Sequence, residues 1–211
     1  MGFGFLLIGY MTMMIDYGIK TIAEYNIGFD IFPDIIGYIF FFLAMKKLKP
    51  YAEGFKYAKY VTYFLILLGS VTLGVQIFSF TKSHGALLAK ILYHCDFARL
   101  VLFALFNIFA FSGIRKLAND VELPKIARRA VAALIINLLC FIMKISDYAF
   151  TFTEAQRAFI IIIYSLTWYI LLFFSLFLVM GCYMYICYEG EEEIIVPENK
   201  IAIFLNKLKK K

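Results

Sequence analysis

Charge is what this sequence has least of. Only 17% of its 211 residues are Asp, Glu, Lys or Arg, and two are His. A soluble globular domain carries about 25% charged residues, so a water-exposed fold of this size is excluded. The four cysteines, Cys95, Cys140, Cys182 and Cys187, all lie in apolar stretches with no C-x-x-C spacing. They imply buried structural thiols and no disulfide framework. Alternation of period two is missing, which argues against a membrane barrel. H-E-x-x-H is missing, G-S-V at 69–71 is not G-x-S-x-G, and no phosphate-binding glycine loop occurs. No enzyme activity, metal or cofactor is therefore expected. The N-terminal segment has neither a basic region nor a small-residue cleavage site, and Leu6 stands where a myristoylation signal wants Ser or Thr. Residues 3–19 are accordingly expected as a retained first span.

What is present is apolar surface. The chain is 63% hydrophobic and 19% aromatic, with a mean hydropathy of +0.82. The apolar residues gather at 3–19, 30–45, 58–80, 87–114, 131–150 and 158–187. A helix needs about 20 such residues to cross a bilayer. The expected fold is all-α, a polytopic membrane protein of six transmembrane helices arranged as three tandem hairpins. Residues 1–188 form the bundle. Residues 189–211 form an acidic linker followed by a basic tail, in which Ile201, Phe204, Leu205 and Leu208 recur at helical spacing among lysines. That pattern suits a short amphipathic helix on anionic lipid.

The formal charge of +6 sits beside the spans. Lys46, Lys47, Lys49, Lys56 and Lys59 separate spans 2 and 3, and Arg115, Lys116, Lys125, Arg128 and Arg129 separate spans 4 and 5. Short basic loops stay in the cytoplasm, which places both termini there and the protein in the cell membrane. This explains the charge better than nucleic acid does, and no nucleic-acid partner is expected. These two loops also repeat. M-K-K-L at 45–48 matches I-R-K-L at 114–117, and at the same offset of 69 Glu53 matches Glu122, Lys56 matches Lys125 and Lys59 matches Arg128.

The acids and bases inside the spans crowd toward the end opposite the basic loops. They are Asp16, Asp30, Asp34, His94, Asp96, Arg99, Lys144 and Asp147. An ionisable group at a helix centre costs about 2.5–3.5 kcal/mol on insertion scales, so each is a candidate for a solute or ion pocket. Counting about 1.5 Å per helical residue from the basic ends puts Asp34 deepest, roughly 16 Å in, and the others roughly 20–27 Å in. Asp34 has no basic residue within a helical turn. D-I-F-P-D at 30–34 places two acids four apart, sharing a helix face if the helix already runs at Asp30. Equally, Asp30 can be an N-cap, with Pro33 in the first turn and Asp34 complementing the helix dipole. Asp96 and Arg99 are spaced as an in-helix ion pair, as are Lys144 and Asp147. D-F-A-R at 96–99 is similar to the D-G-x-x-A-R of alcohol phosphatidyltransferases, but the spacing differs and the further Asp pair is missing. His94 has no second histidine in its span and is a weak metal ligand.

F-D-I-F-P-D-I-I-G-Y at 29–38 resembles the F-D-I-x-P-D-x-I-G-Y signature of small uncharacterised polytopic membrane proteins of Gram-positive bacteria. The resemblance covers ten residues and implies a location and a span pattern, with no activity attached. In size, span number and orientation the chain is similar to the substrate-binding subunits of bacterial vitamin importers. The expected function is a small transporter or solute-binding subunit with an outward-facing acidic pocket. Its expected partners are the bilayer, a cation or small solute, and another membrane protein. The alternative is a non-catalytic interaction or sensor protein whose charges hold helices together.

Overall fold

The computed structural model describes residues 2–15, 18–22, 27–30, 33–81, 84–150 and 153–186. Six helices run through them: α1 (Gly2–Met14), α2 (Asp34–Leu48), α3 (Glu53–Phe78), α4 (Gly85–Asp120), α5 (Pro124–Ala149) and α6 (Glu154–Tyr185). Between α1 and α2 lies an antiparallel hairpin of β1 (Gly18–Ile22) and β2 (Ile27–Asp30). A 3-10 turn, Ser79–Thr81, follows α3. Four stretches are long and apolar enough to cross a membrane: Glu53–Thr81, Gly85–Asp120, Pro124–Asp147 and Ala158–Tyr185. The other two helices are short, with 13 residues in α1 and 15 in α2. The tail at 189–211 and Asp16 lie outside the described residues.

The fold is all-helical as expected, apart from this short hairpin, which falls at the end of expected span 1 and the start of span 2. Helix α1 stops at Met14, and residues 18–22 are strand rather than the end of a helix. Asp30 also belongs to a strand, so it neither caps α2 nor shares a helix face with Asp34. The break has a local cause. Pro33, at φ −56° and ψ 134°, is extended and has no N–H to give, and α2 starts directly after it. Asp34 then sits in the first turn and Lys46 and Lys47 in the last, each complementing the helix dipole. The other ends follow similar rules. Pro124 opens α5 at a position where no N–H is needed, and Thr153 with Gln156 forms a capping box at the start of α6.

Each helix packs against the next in sequence, and α1 closes against α6, so the six form a ring. Its centre is filled by aromatic side chains. Phe41 stacks on Phe106 with centroids 4.6 Å apart, Tyr10 meets Phe41 edge-on at 5.0 Å, and Phe103 packs on Trp168 at 5.2 Å. Small residues let backbones approach where α3 crosses α4. A Cβ added to Gly54 would stand 2.6 Å from the Phe109 carbonyl oxygen and 2.8 Å from the Gly113 nitrogen.

The repeat read from the loops extends into the core. The buried positions of α2 are Gly37, Tyr38, Phe41, Ala44, Met45 and Leu48. Sixty-nine residues on, α4 buries Phe106, Asn107, Ala110, Gly113, Ile114 and Leu117. The two helices therefore turn the same face inward.

Candidate functional site

The charged residues meet at the end of the bundle that carries the hairpin. Arg99, in α4, reaches across to Asp34 at the first turn of α2 with one nitrogen and holds Asp96 at 2.9 Å with the other. Asp34 thus acquires from another helix the basic neighbour that its own helical turn lacks. The three side chains keep 38%, 27% and 47% of their surface accessible for Arg99, Asp34 and Asp96. The cluster is therefore not sealed inside the protein. Lys144 and Asp147 form their own pair at 3.7 Å within α5, and the Lys144 ammonium lies 4.9 Å from the centre of the Tyr164 ring.

A cavity of about 30 Å³ lies beside the Arg99–Asp34 pair. Its polar lining comes from Asp30 of β2, Asp34 and Tyr38 of α2, Thr72 and Gln76 of α3, and Arg99. The hairpin supplies one wall, and Phe29 of β2 rests on Phe80 beyond α3 with ring centres 5.4 Å apart. Asp30 and Pro33 both line this cavity. Tyr38 is fully buried, with its hydroxyl beside the Arg99 guanidinium.

No family model, curated protein or solved structure matches this chain. The chemistry of the site must therefore be read from its own side chains.

Of the residues singled out in sequence, the structure gathers Asp30, Asp34 and Arg99 around the cavity, with Asp96 attached through Arg99. Lys144 and Asp147 do not line it. His94 does not either; it is exposed, with its ring edge-on to Tyr93. Tyr38, Thr72 and Gln76 were not anticipated as site residues, although Tyr38 closes the motif at 29–38.

A second polar cluster also went unread. The Tyr10 hydroxyl donates to Asn107 Oδ1 at 2.7 Å, Asn107 Nδ2 donates to Asn137 Oδ1 at 3.0 Å, and Asn137 Nδ2 donates to the Ala104 carbonyl at 3.2 Å. This chain ties α1, α4 and α5 together. Its three side chains are 0%, 0% and 2% exposed. Asparagines inside apolar runs were the available signal, because such residues hydrogen-bond across helices in membranes.

Proposed function

We propose that the protein is a cell-membrane protein of six crossings with both ends in the cytoplasm. Its hairpin end then carries an outward-facing acidic pocket, and it serves as a small transporter or solute-binding subunit for a cation or small polar solute. The observation that carries this reading is the cavity bounded by Asp30, Asp34, Tyr38, Thr72, Gln76 and Arg99. The motif that resembles a signature of small membrane proteins supports it, because Asp30, Pro33, Asp34 and Tyr38 all line that cavity.

The test is a thermal-melt panel of small cations and polar solutes on the purified full chain and on Asp34→Asn. At least one compound should raise the melting temperature of the parent and not that of the variant, since a ligand stabilises only the state that binds it. A flat panel rejects the pocket. The six crossings are tested separately in a cysteine-free background. Glu53→Cys and Glu122→Cys should be shielded from an impermeant thiol reagent in intact cells, and Ser83→Cys should label.

A second reading has its own observation. Arg99 with Asp34 and Asp96, and Lys144 with Asp147, make three ion pairs. A protein that uses charge only to hold helices together would show such pairing. The cavity is what this second reading leaves unexplained.

A further inference from the structure

The two basic turns hold equivalent places in the repeat, yet their surfaces differ. At the offset of 69, Lys46, Lys56 and Lys59 beside the α2–α3 turn answer to Arg115, Lys125 and Arg128 beside the α4–α5 turn. The tyrosines of the first turn have no such counterparts. Tyr51, Tyr57, Tyr60 and Tyr63 answer to Asp120, Ile126, Arg129 and Ala132, and no aromatic residue occurs between Phe111 and Phe141. All four tyrosines are exposed. The fold can therefore close such a turn without exposed rings, and at the α2–α3 turn they need another reason.

Along α3 the exposed side chains change in order. Lys56 comes first, then Tyr57, Tyr60 and Tyr63, then Phe64, Leu67 and Val71. From Lys56 to Val71 the helix rises about 22 Å. Charge, then amphipathic ring, then hydrocarbon is the order met on passing from water through headgroups into acyl chains. Rings also hold lysines at this edge. The Lys59 ammonium lies 5.5 Å from the centre of Phe42 and 5.8 Å from that of Tyr63, and the Lys47 ammonium lies 5.2 Å from that of Phe5. Such contacts fix a cation at the border of an apolar surface. Lys46, Lys49 and Lys56 are exposed and form no ion pair with another described residue. An acidic protein segment would match these charges but not the graded apolar slope beside them. An anion attached to hydrocarbon matches both.

We propose that the corner at the α2–α3 turn binds anionic phospholipid. Lys46, Lys49 and Lys56 take the headgroup phosphate, and Tyr57, Tyr60 and Tyr63 lie beside its glycerol and ester groups. The α4–α5 corner, also basic but without rings, lacks this preference. The site is at the end of the bundle opposite the pocket, and it rests on the membrane reading and not on the pocket.

The experiment titrates phosphatidylglycerol or phosphatidylcholine of the same acyl chains into the purified full chain in a neutral detergent and follows the melting temperature. Phosphatidylglycerol should stabilise the parent at the lower concentration, and raised salt should weaken its effect. The double variant Lys46→Gln/Lys56→Gln should need about fivefold more phosphatidylglycerol for each lysine lost. Arg115→Gln/Lys125→Gln removes the same charge from the equivalent positions and should leave the titration nearly unchanged. The basic tail is intact in both variants, so its own attraction to anionic lipid cancels. Without lipid both should melt with the parent, because the four side chains are exposed. Equal stabilisation by the two lipids overturns the proposal and leaves the corner to an acidic protein partner. Equal losses in the two variants also overturn it, since net charge and not this corner would then attract the lipid. So does a Lys46→Gln/Lys56→Gln variant that melts early without lipid, which would make those lysines structural. Glycerol phosphate carries the anion without acyl chains and should not compete. If it does, the site is one for a soluble phosphate and the lipid assignment falls.

Discussion

The bundle holds two polar clusters, and they are built in opposite ways. The chain from Tyr10 through Asn107 and Asn137 to the Ala104 carbonyl is sealed in the aromatic core, and each bond hands on to the next. The cluster around Arg99 is charged, partly accessible and bordered by a small cavity. Buried polar groups that serve architecture must be satisfied, because an unmade bond in a low-dielectric interior is expensive. Charged groups left partly accessible beside space can serve something that comes and goes. The contrast separates helix glue from a candidate binding site without reference to any relative.

The contrast can be broken by substitution, and the expected effects are graded. Asn107→Leu should be the most damaging, because it strands the Tyr10 hydroxyl and one Asn137 group in the core. A loss of about 1–3 kcal/mol is expected in unfolding followed by circular dichroism. A double-mutant cycle with Asn137→Leu should show coupling, at about 0.6–1.7 kcal/mol. Additivity there would mean the two asparagines do not act as one chain. Arg99→Met comes next. It frees Asp34 and Asp96 together, but their partial exposure reduces the loss from the 3–5 kcal/mol of a fully buried pair to about 1–2 kcal/mol. Asp147→Asn should cost about 0.5 kcal/mol or less, since its bond to Lys144 is long and lies within one helix. Gln76→Leu, at the cavity wall, should sit at the bottom of the scale, near zero. If Gln76→Leu costs as much as Asn107→Leu, the two clusters are of one kind and the distinction is lost.

The sequence made the long helices readable. Spans expected at 58–80, 87–114, 131–150 and 158–187 lie largely within α3, α4, α5 and α6, because apolar runs of that length have no other use. The basic segments fall at the α2–α3 and α4–α5 turns, and the offset of 69 that links them also links the buried faces of α2 and α4. The first hairpin was misread for a physical reason. Apolar residues around Gly18 and Gly28 suit a strand as well as a short helix, and Pro33 fits the first turn of a helix as well as the position before it. The site was only half legible. Spacing along one helix suggested the pairs Asp96–Arg99 and Lys144–Asp147, and both formed. No such spacing could show that Asp34 meets Arg99, 65 residues away, or that Tyr38, Thr72 and Gln76 share a cavity with them.

The bond between Tyr10 and Asn107 spans 97 residues. A ribosome adding about 5–20 residues per second needs roughly 5–20 s to cover that interval. The Tyr10 phenol is therefore made well before its acceptor exists, and Asn137 follows a further 30 residues later. Helix α1 is made before the partners that enclose it and is among the last to find its permanent place, since its other neighbour is α6. During that delay a 13-residue apolar segment waits without the bundle that finally encloses it. Assembly of this protein is thus a matter of timing as well as of packing, because its shortest helix is completed long before the surface that receives it.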